Sequence, residues 1–115
     1  MTDCIFCRIV AGEIPAQIVG RSDHALAFRD LSPQAPTHIL VIPTSHFDSA
    51  ATATGEAGKQ ALGEVMALGV EVAAGLGLAA GGYRFVMNTG RDGGQSVGHL
   101  HLHLLGGRQL HWPPG

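Results

Sequence analysis

The sequence predicts an α+β fold, a five-stranded, mostly antiparallel sheet with one long helix against it. Three observations predict it. Five short apolar runs of strand length are set apart by Gly, Pro and polar turns. The segment from Leu62 to Leu76 repeats apolar residues at spacings of three and four, the period of a helix. The segment from His99 to Leu105 alternates His and Leu, the period of a strand with two different faces. At 115 residues the chain has the length of a single domain, read as 1–115, with a modest core.

Each element follows in order. Cys4 to Val10 is a short apolar segment that can form a helical turn, interrupted by Gly12 and Pro15. Ile18-Val19-Gly20 and Ala25-Leu26-Ala27-Phe28 read as two strands around a turn at Arg21 to His24. The two prolines of Leu31-Ser32-Pro33-Gln34-Ala35-Pro36 make that stretch a loop. His38-Ile39-Leu40-Val41-Ile42-Pro43 is apolar without alternation, as in a strand buried on both faces. The helix presents Leu62, Val65, Met66, Gly69, Val70, Ala73 and Leu76 on one face, with Thr54 as N-cap and Gly77 as terminator. Its internal glycines lower helix propensity by up to ~1 kcal/mol each, so packing must hold it. Gly81-Gly82 turns the chain into a strand from Tyr83 to Met87. Asn88 to Gly98 is a glycine-rich loop, Gly98 to Leu105 is the last strand, and Gly106 to Gly115 is an irregular tail.

Composition narrows the function classes. Hydrophobic residues make up 45% and charged residues 14%, which excludes a disordered tail and leaves room for a buried interface between copies. A net charge of -2 disfavours binding to long nucleic acids, although backbone amides can hold the phosphate of a single nucleotide. No apolar run reaches the roughly 20 residues that span a bilayer, so no membrane association is expected. The start, Met1-Thr2-Asp3-Cys4, lacks a basic region followed by a long apolar stretch, so no signal peptide is expected and the cytoplasm is the expected compartment.

The alternating strand carries the chemistry. His99, His101 and His103 share one face, and Leu100, Leu102 and Leu104 the other. The leucines can pack under the helix. Three imidazoles about 6.5–7 Å apart cannot join an apolar core without partners. They can pass hydrogen bonds, surround an anion, act as nucleophile or acid-base groups near neutral pH, or bind a metal. The loop before them, Asn88-Thr89-Gly90-Arg91-Asp92-Gly93-Gly94-Gln95-Ser96-Val97-Gly98, lets amides approach an anion but lacks the Lys of a P-loop. Cys4-Ile5-Phe6-Cys7 supplies two of the four ligands of a zinc site, with His46 and His99 as candidates for the others; buried thiols or a redox pair are the alternatives.

His99 to Leu105 matches the motif His-φ-His-φ-His-φ-φ, with φ apolar, at every position, and the chain resembles the histidine triad (HIT) superfamily. Cys4 to Cys7, Phe28-Arg29-Asp30, Ser32 to His38, Gly93-Gly94-Gln95-Ser96 and the tail Gly106 to Gly115 are similar to its Hint branch, purine nucleoside phosphoramidases and nucleotide-binding proteins. The resemblance implies that His101 attacks the α-phosphorus of a nucleoside phosphoramidate, that a covalent nucleotidyl-histidine forms, and that water releases the monophosphate. His103 would contact the phosphate oxygens and Ser96 the phosphate or leaving group, helped by amides near Gly94, Gln95 and Val97, with Asn88 nearby. Asp30 would bind the ribose hydroxyls, and Ile5, Phe6, Phe28 and Leu31 would sandwich a purine. No metal is needed for that chemistry. Relatives with Cys-x-x-Cys bind structural zinc, which implies Cys4, Cys7, His46 and His99 as ligands here and makes His99 a ligand rather than a catalyst. A homodimer is implied, joining two five-stranded sheets through the helix and an edge strand, with Trp112 near the partner's nucleotide site. The resemblance departs at position 98, Gly where the family often has an aromatic residue, and in the cysteines, which many Hint proteins lack. Cleavage of dinucleoside polyphosphates and non-catalytic nucleotide binding are the alternative functions.

Overall fold

The computed structural model describes residues 3–115; Met1 and Thr2, where the reading of an absent signal peptide begins, lie outside the described residues. The elements are α1 (Ile5–Val10), β1 (Ile18–Arg21), β2 (Ala25–Arg29), β3 (Thr37–Pro43), a 3-10 turn (Ala50–Thr52), α2 (Gly55–Gly75), β4 (Tyr83–Val86) and β5 (Leu102–Gly106). The strands form one sheet in the order β1-β2-β3-β5-β4, and each neighbouring pair is antiparallel. The fold is therefore the expected α+β sheet with one long helix. Among the described residues no helix is long and apolar enough to cross a membrane.

The apolar runs of β2 and β3 are explained by burial on both faces. Ala25, Ala27, Ile39 and Val41 pack toward α2, with Val65, Leu68, Val72 and Ala73. Leu26, Phe28, Leu40 and Ile42 face the other way and pack with Phe6 and Ile9 of α1. Leu100, Leu102 and Leu104 join the α2 core, as their alternation requires.

Two expectations need correction. The last strand begins at Leu102, not Gly98. His99 and His101 precede the ladder because Leu100 N–H is taken by the Phe47 carbonyl at 2.7 Å instead of by a neighbouring strand. Only His103 of the three lies on β5, paired with Leu40 and Val86. The helix face is also rotated from the expected one. α2 buries Gly58, Ala61, Val65, Leu68, Gly69, Val72 and Ala73, and leaves Met66, Val70 and Leu76 exposed. Its termini follow the sequence more closely. Thr54 is the N-cap residue, though its side chain makes no capping bond. Gly77, at φ 75°, donates to Ala74 and Leu78 donates to Ala73, the paired bonds of a Schellman terminus.

Candidate functional site

Between α1, β2 and the loop before β5 lies a cavity of about 260 Å³. Its walls are Ile5, Phe6, Ile9, Ile14, Pro15, Ala16, Phe28, Arg29, Asp30, Leu31, Leu40, Ser96, Val97, His101 and His103. Nine of the residues singled out in the sequence meet there: Ile5, Phe6, Phe28, Asp30, Leu31, Ser96, Val97, His101 and His103. Phe6 stands edge-on to Phe28 at 5.6 Å and to His101 at 5.3 Å, so the apolar end of the cavity adjoins the imidazoles.

Hydrogen bonds to groups that can only accept or only donate fix where each imidazole carries its proton. His101 Nδ1 lies 2.8 Å from the His99 carbonyl, which only accepts, so Nδ1 holds a proton and in the neutral ring the lone pair is on Nε2. The Gln34 backbone N–H donates to His38 Nδ1 at 3.0 Å, so the proton of neutral His38 is on Nε2. That Nε2 donates to His103 Nδ1 at 2.9 Å, so the proton of His103 is on its own Nε2. His103 Nε2 is buried and makes no hydrogen bond among the described residues. Burial, with His101 and His38 alongside, pushes His103 down to about 4, so near neutral pH it is an uncharged donor. Burial also lowers His38, against the opposing pull of Asp30, whose Oδ2 lies 3.4 Å from His38 Nε2. The site thus offers one imidazole lone pair and one unmatched N–H donor.

Behind it, Cys4, Cys7, His46 and His99 converge, with their ligand atoms all within 4.8 Å of one another. His99 Nδ1 is 3.2 Å from Cys4 Sγ, 3.5 Å from Cys7 Sγ and 3.1 Å from His46 Nδ1. Tetrahedral zinc with about 2.3 Å bonds to sulfur and 2.0–2.1 Å to nitrogen sets its ligand atoms roughly 3.3–3.8 Å apart, close to this spacing. Each ring gives its Nε2 proton to an oxygen outside the cluster: His99 to the Pro43 carbonyl at 3.1 Å, His46 to Asp48 Oδ1 at 2.8 Å. Both Nδ1 atoms therefore face inward, and the donor set fits a metal ion. Burial holds His99 at about 4, hence neutral, as a ligand must be. The bond to Asp48 raises His46. Burial pushes the Cys4 thiol up, but bonds from Cys7 and His46 outweigh it and leave it below its ordinary value; burial and Cys4 raise Cys7.

Three expected nucleotide contacts, Asn88, Gly94 and Gln95, are not in the cavity wall, and neither is Trp112, which the resemblance places near the partner's site. Asn88 comes two residues after the end of β4. Gly94, at φ 78°, shapes the loop. Gln95 ties that loop together, donating to the Asp48 carbonyl at 2.7 Å and the Val97 carbonyl at 2.9 Å while accepting from Gly90 N–H at 2.9 Å. Trp112 is 81% exposed because the tail turns away along β4, where Arg84 donates to the His111 carbonyl at 2.9 Å. Sequence reasoning missed His38 as a site residue, although it is a buried-strand histidine, and Asp48, two residues beyond His46. It also missed the apolar wall of Ile9, Ile14, Pro15, Ala16 and Leu40, which carries no motif.

Known proteins share this fold. A family model described as HIT domain matches residues 11–110. The chain is 48% identical over 108 residues to the purine nucleoside phosphoramidase of Escherichia coli K12, covering 94% of this chain and 90% of that protein. It is 53% identical over 113 residues to an uncharacterized HIT-like protein of Synechococcus elongatus, covering 98% and 97%. The crystal structure of a HIT family hydrolase from Legionella pneumophila superposes with a TM-score of 0.93 at 46% identity, covering 98% of this chain and all of that one. The histidine-bearing strand, its sheet and these relatives together show that the chain belongs to the HIT domain family.

Proposed function

We propose that the chain is a hydrolase of purine nucleoside phosphoramidates that works through a covalent nucleotidyl-histidine. One observation carries this reading: His101 keeps a lone pair on Nε2 in the wall of a cavity where His103 offers an unmatched N–H. His101 Nε2 bonds to the α-phosphorus as the P–N bond to the amine breaks, the leaving nitrogen takes the proton of Ser96 Oγ–H, and the water that later attacks phosphorus returns a proton to Ser96. The positive charge that develops on the ring is met at Nδ1–H by the His99 carbonyl. His103 Nε2–H binds a phosphate oxygen. Ser96, also in the wall, hydrogen-bonds the leaving nitrogen. Water then attacks phosphorus, the P–His101 bond breaks, and the nucleoside monophosphate departs. Phe6, Phe28, Ile5 and Leu31 take the flat base, and Asp30 the ribose hydroxyls. The relative named purine nucleoside phosphoramidase supports the choice of substrate.

The surrounding assignments belong to the same reading. Cys4, Cys7, His46 and His99 hold a structural zinc ion, which supplies a crosslink between α1 and the segments around His46 and His99. The chain acts as one domain and as a homodimer, its exposed Met66 and Val70 and the edge strand β4 covered by a second copy. A reducing cytoplasm suits the two thiols.

The test compares turnover of adenosine phosphoramidate and of a dinucleoside polyphosphate by the purified protein. The phosphoramidate is expected to turn over faster. Faster cleavage of the polyphosphate favours the other hydrolase class, and no turnover of either favours a binding module. His101→Ala should lower kcat by at least about 10³-fold, as loss of a nucleophile does, while nucleotide affinity by calorimetry is largely kept.

A further inference from the structure

The tail after β5 grips the loop before β3. Gly107 has φ +92°, and a Cβ built there would stand 2.9 Å from Pro36 Cβ, so the two segments meet too closely for a larger residue. Arg108, next to it, donates to the Gln34 carbonyl at 2.9 Å and to the Gln109 carbonyl at 3.1 Å. Gln34 is held from its other side as well. Its side-chain amide donates to the Ser32 carbonyl at 3.0 Å, and its backbone N–H is the group that donates to His38 Nδ1 at 3.0 Å.

We propose that Gly107 and Arg108 are positioning residues for His103: by holding Gln34 they keep its N–H on His38, and so determine which nitrogen of His103 carries the proton. The inference rests on the reading of His103 as the phosphate contact. While Gln34 N–H occupies His38 Nδ1, the His38 proton must sit on Nε2, His103 Nδ1 must accept it, and the proton of His103 must sit on Nε2, the buried atom of this cavity-lining ring that has no partner among the described residues. Once Gln34 moves away, only Asp30 Oδ2, 3.4 Å from His38 Nε2, still favours a proton on that nitrogen, and His38 can also carry its proton on Nδ1. The bond between the rings then reverses, with His103 Nδ1–H donating to His38 Nε2. His103 Nε2 becomes a lone pair aimed at the phosphate oxygens, acceptor against acceptor. An exposed arginine in the tail, two residues beyond β5, would in this way set the polarity of a buried imidazole without touching the substrate.

The experiment is a comparison of full-length wild type, Arg108→Ala, Arg108→Lys, Gly107→Ala and Lys59→Ala. Imidazole tautomers are read from the ¹⁵N shifts of labelled histidine at neutral pH, and kcat and KM from phosphoramidate turnover. Wild type should show His38 and His103 as Nε2–H tautomers. Arg108→Ala and Gly107→Ala should shift both toward a mixture and lower kcat roughly threefold to tenfold with KM little changed, the scale of one exposed charge-assisted bond. Arg108→Lys, which keeps a donor for the Gln34 carbonyl, should recover most of both signals. Lys59→Ala, on exposed helix surface beside Glu56, should match wild type. Wild-type tautomers and kcat in Arg108→Ala would overturn the proposal. Should Arg108→Ala fail to fold, Arg108→Gln decides by the same two readouts. Absence of any phosphoramidate turnover in wild type sinks the proposed function, while the tautomer shift still decides the coupling.

Discussion

At the scale of single residues, burial and protonation act on the same atoms. His103 titrates near 6.5 when solvated, and its burial beside His101 and His38 pushes it to about 4 in the folded chain. Between those values the unfolded chain binds a proton that the folded chain refuses. Stability therefore falls as pH drops from about 6.5 through about 4, the direction expected of a histidine buried neutral. His38 is lowered in the same sense, with Asp30 opposing. The urea midpoint should thus be lower at pH 4.5 than at pH 7, and His103→Gln should flatten that dependence. In the folded protein the His103 ring should titrate by NMR near 4; a midpoint near 6.5 would contradict the burial argument. The histidine alternation is legible in the sequence because period two is local. The partner that sets His103's proton, His38, lies 65 positions away, and no periodicity connects them.

At the scale of elements, α2 shows why a helix is easier to read than the face it buries. Its length and its stop at Gly77 follow from spacing and from a positive φ that glycine tolerates. Its buried stripe does not, because Leu62, Met66 and Val70 form a second apolar row beside Val65, Leu68 and Val72. Hydrophobicity alone cannot choose between the rows. Gly69 decides it: a Cβ there would stand 3.0 Å from Phe85 Cζ and 3.2 Å from Leu102 Cδ2, so the helix lies close against the sheet at a residue with no side chain. Gly69→Leu should cost about 1–3 kcal/mol by overpacking. Gly63→Ala, which meets nothing within 4 Å, should instead gain up to ~1 kcal/mol of helix propensity. Equilibrium urea denaturation of both variants checks the pair, and a neutral Gly69→Leu would show that α2 can pivot on the sheet.

At the scale of the molecule, the metal cluster and the cavity are two sides of one junction. Cys-x-x-Cys shows two of four ligands in the sequence, but the sheet order that places β5 between β3 and β4, and so brings His99 to His46, is set by packing of distant segments. Cys4 and Cys7 flank Phe6, and Phe6 packs against Phe28, His99 and His101. An ion held by these ligands would pin α1 against the imidazoles as well as tie the N-terminal segment to the sheet. Purified protein should therefore carry about one zinc per chain by elemental analysis. A site filled at a hundredfold excess over its Kd adds about 2.7 kcal/mol, so chelation should lower the Tm by roughly 10 °C for a domain of this size. Cys4→Ser should lower it similarly and remove the response to chelator. Because Ile5, Phe6 and Ile9 form one wall of the cavity, loosening α1 should also weaken nucleotide monophosphate binding, measured by calorimetry, in the chelated protein and in Cys4→Ser alike. A Tm indifferent to chelator in protein that carries no metal would mean that α1 is held by its apolar contacts with Leu26, Phe28, Leu40 and Ile42 alone.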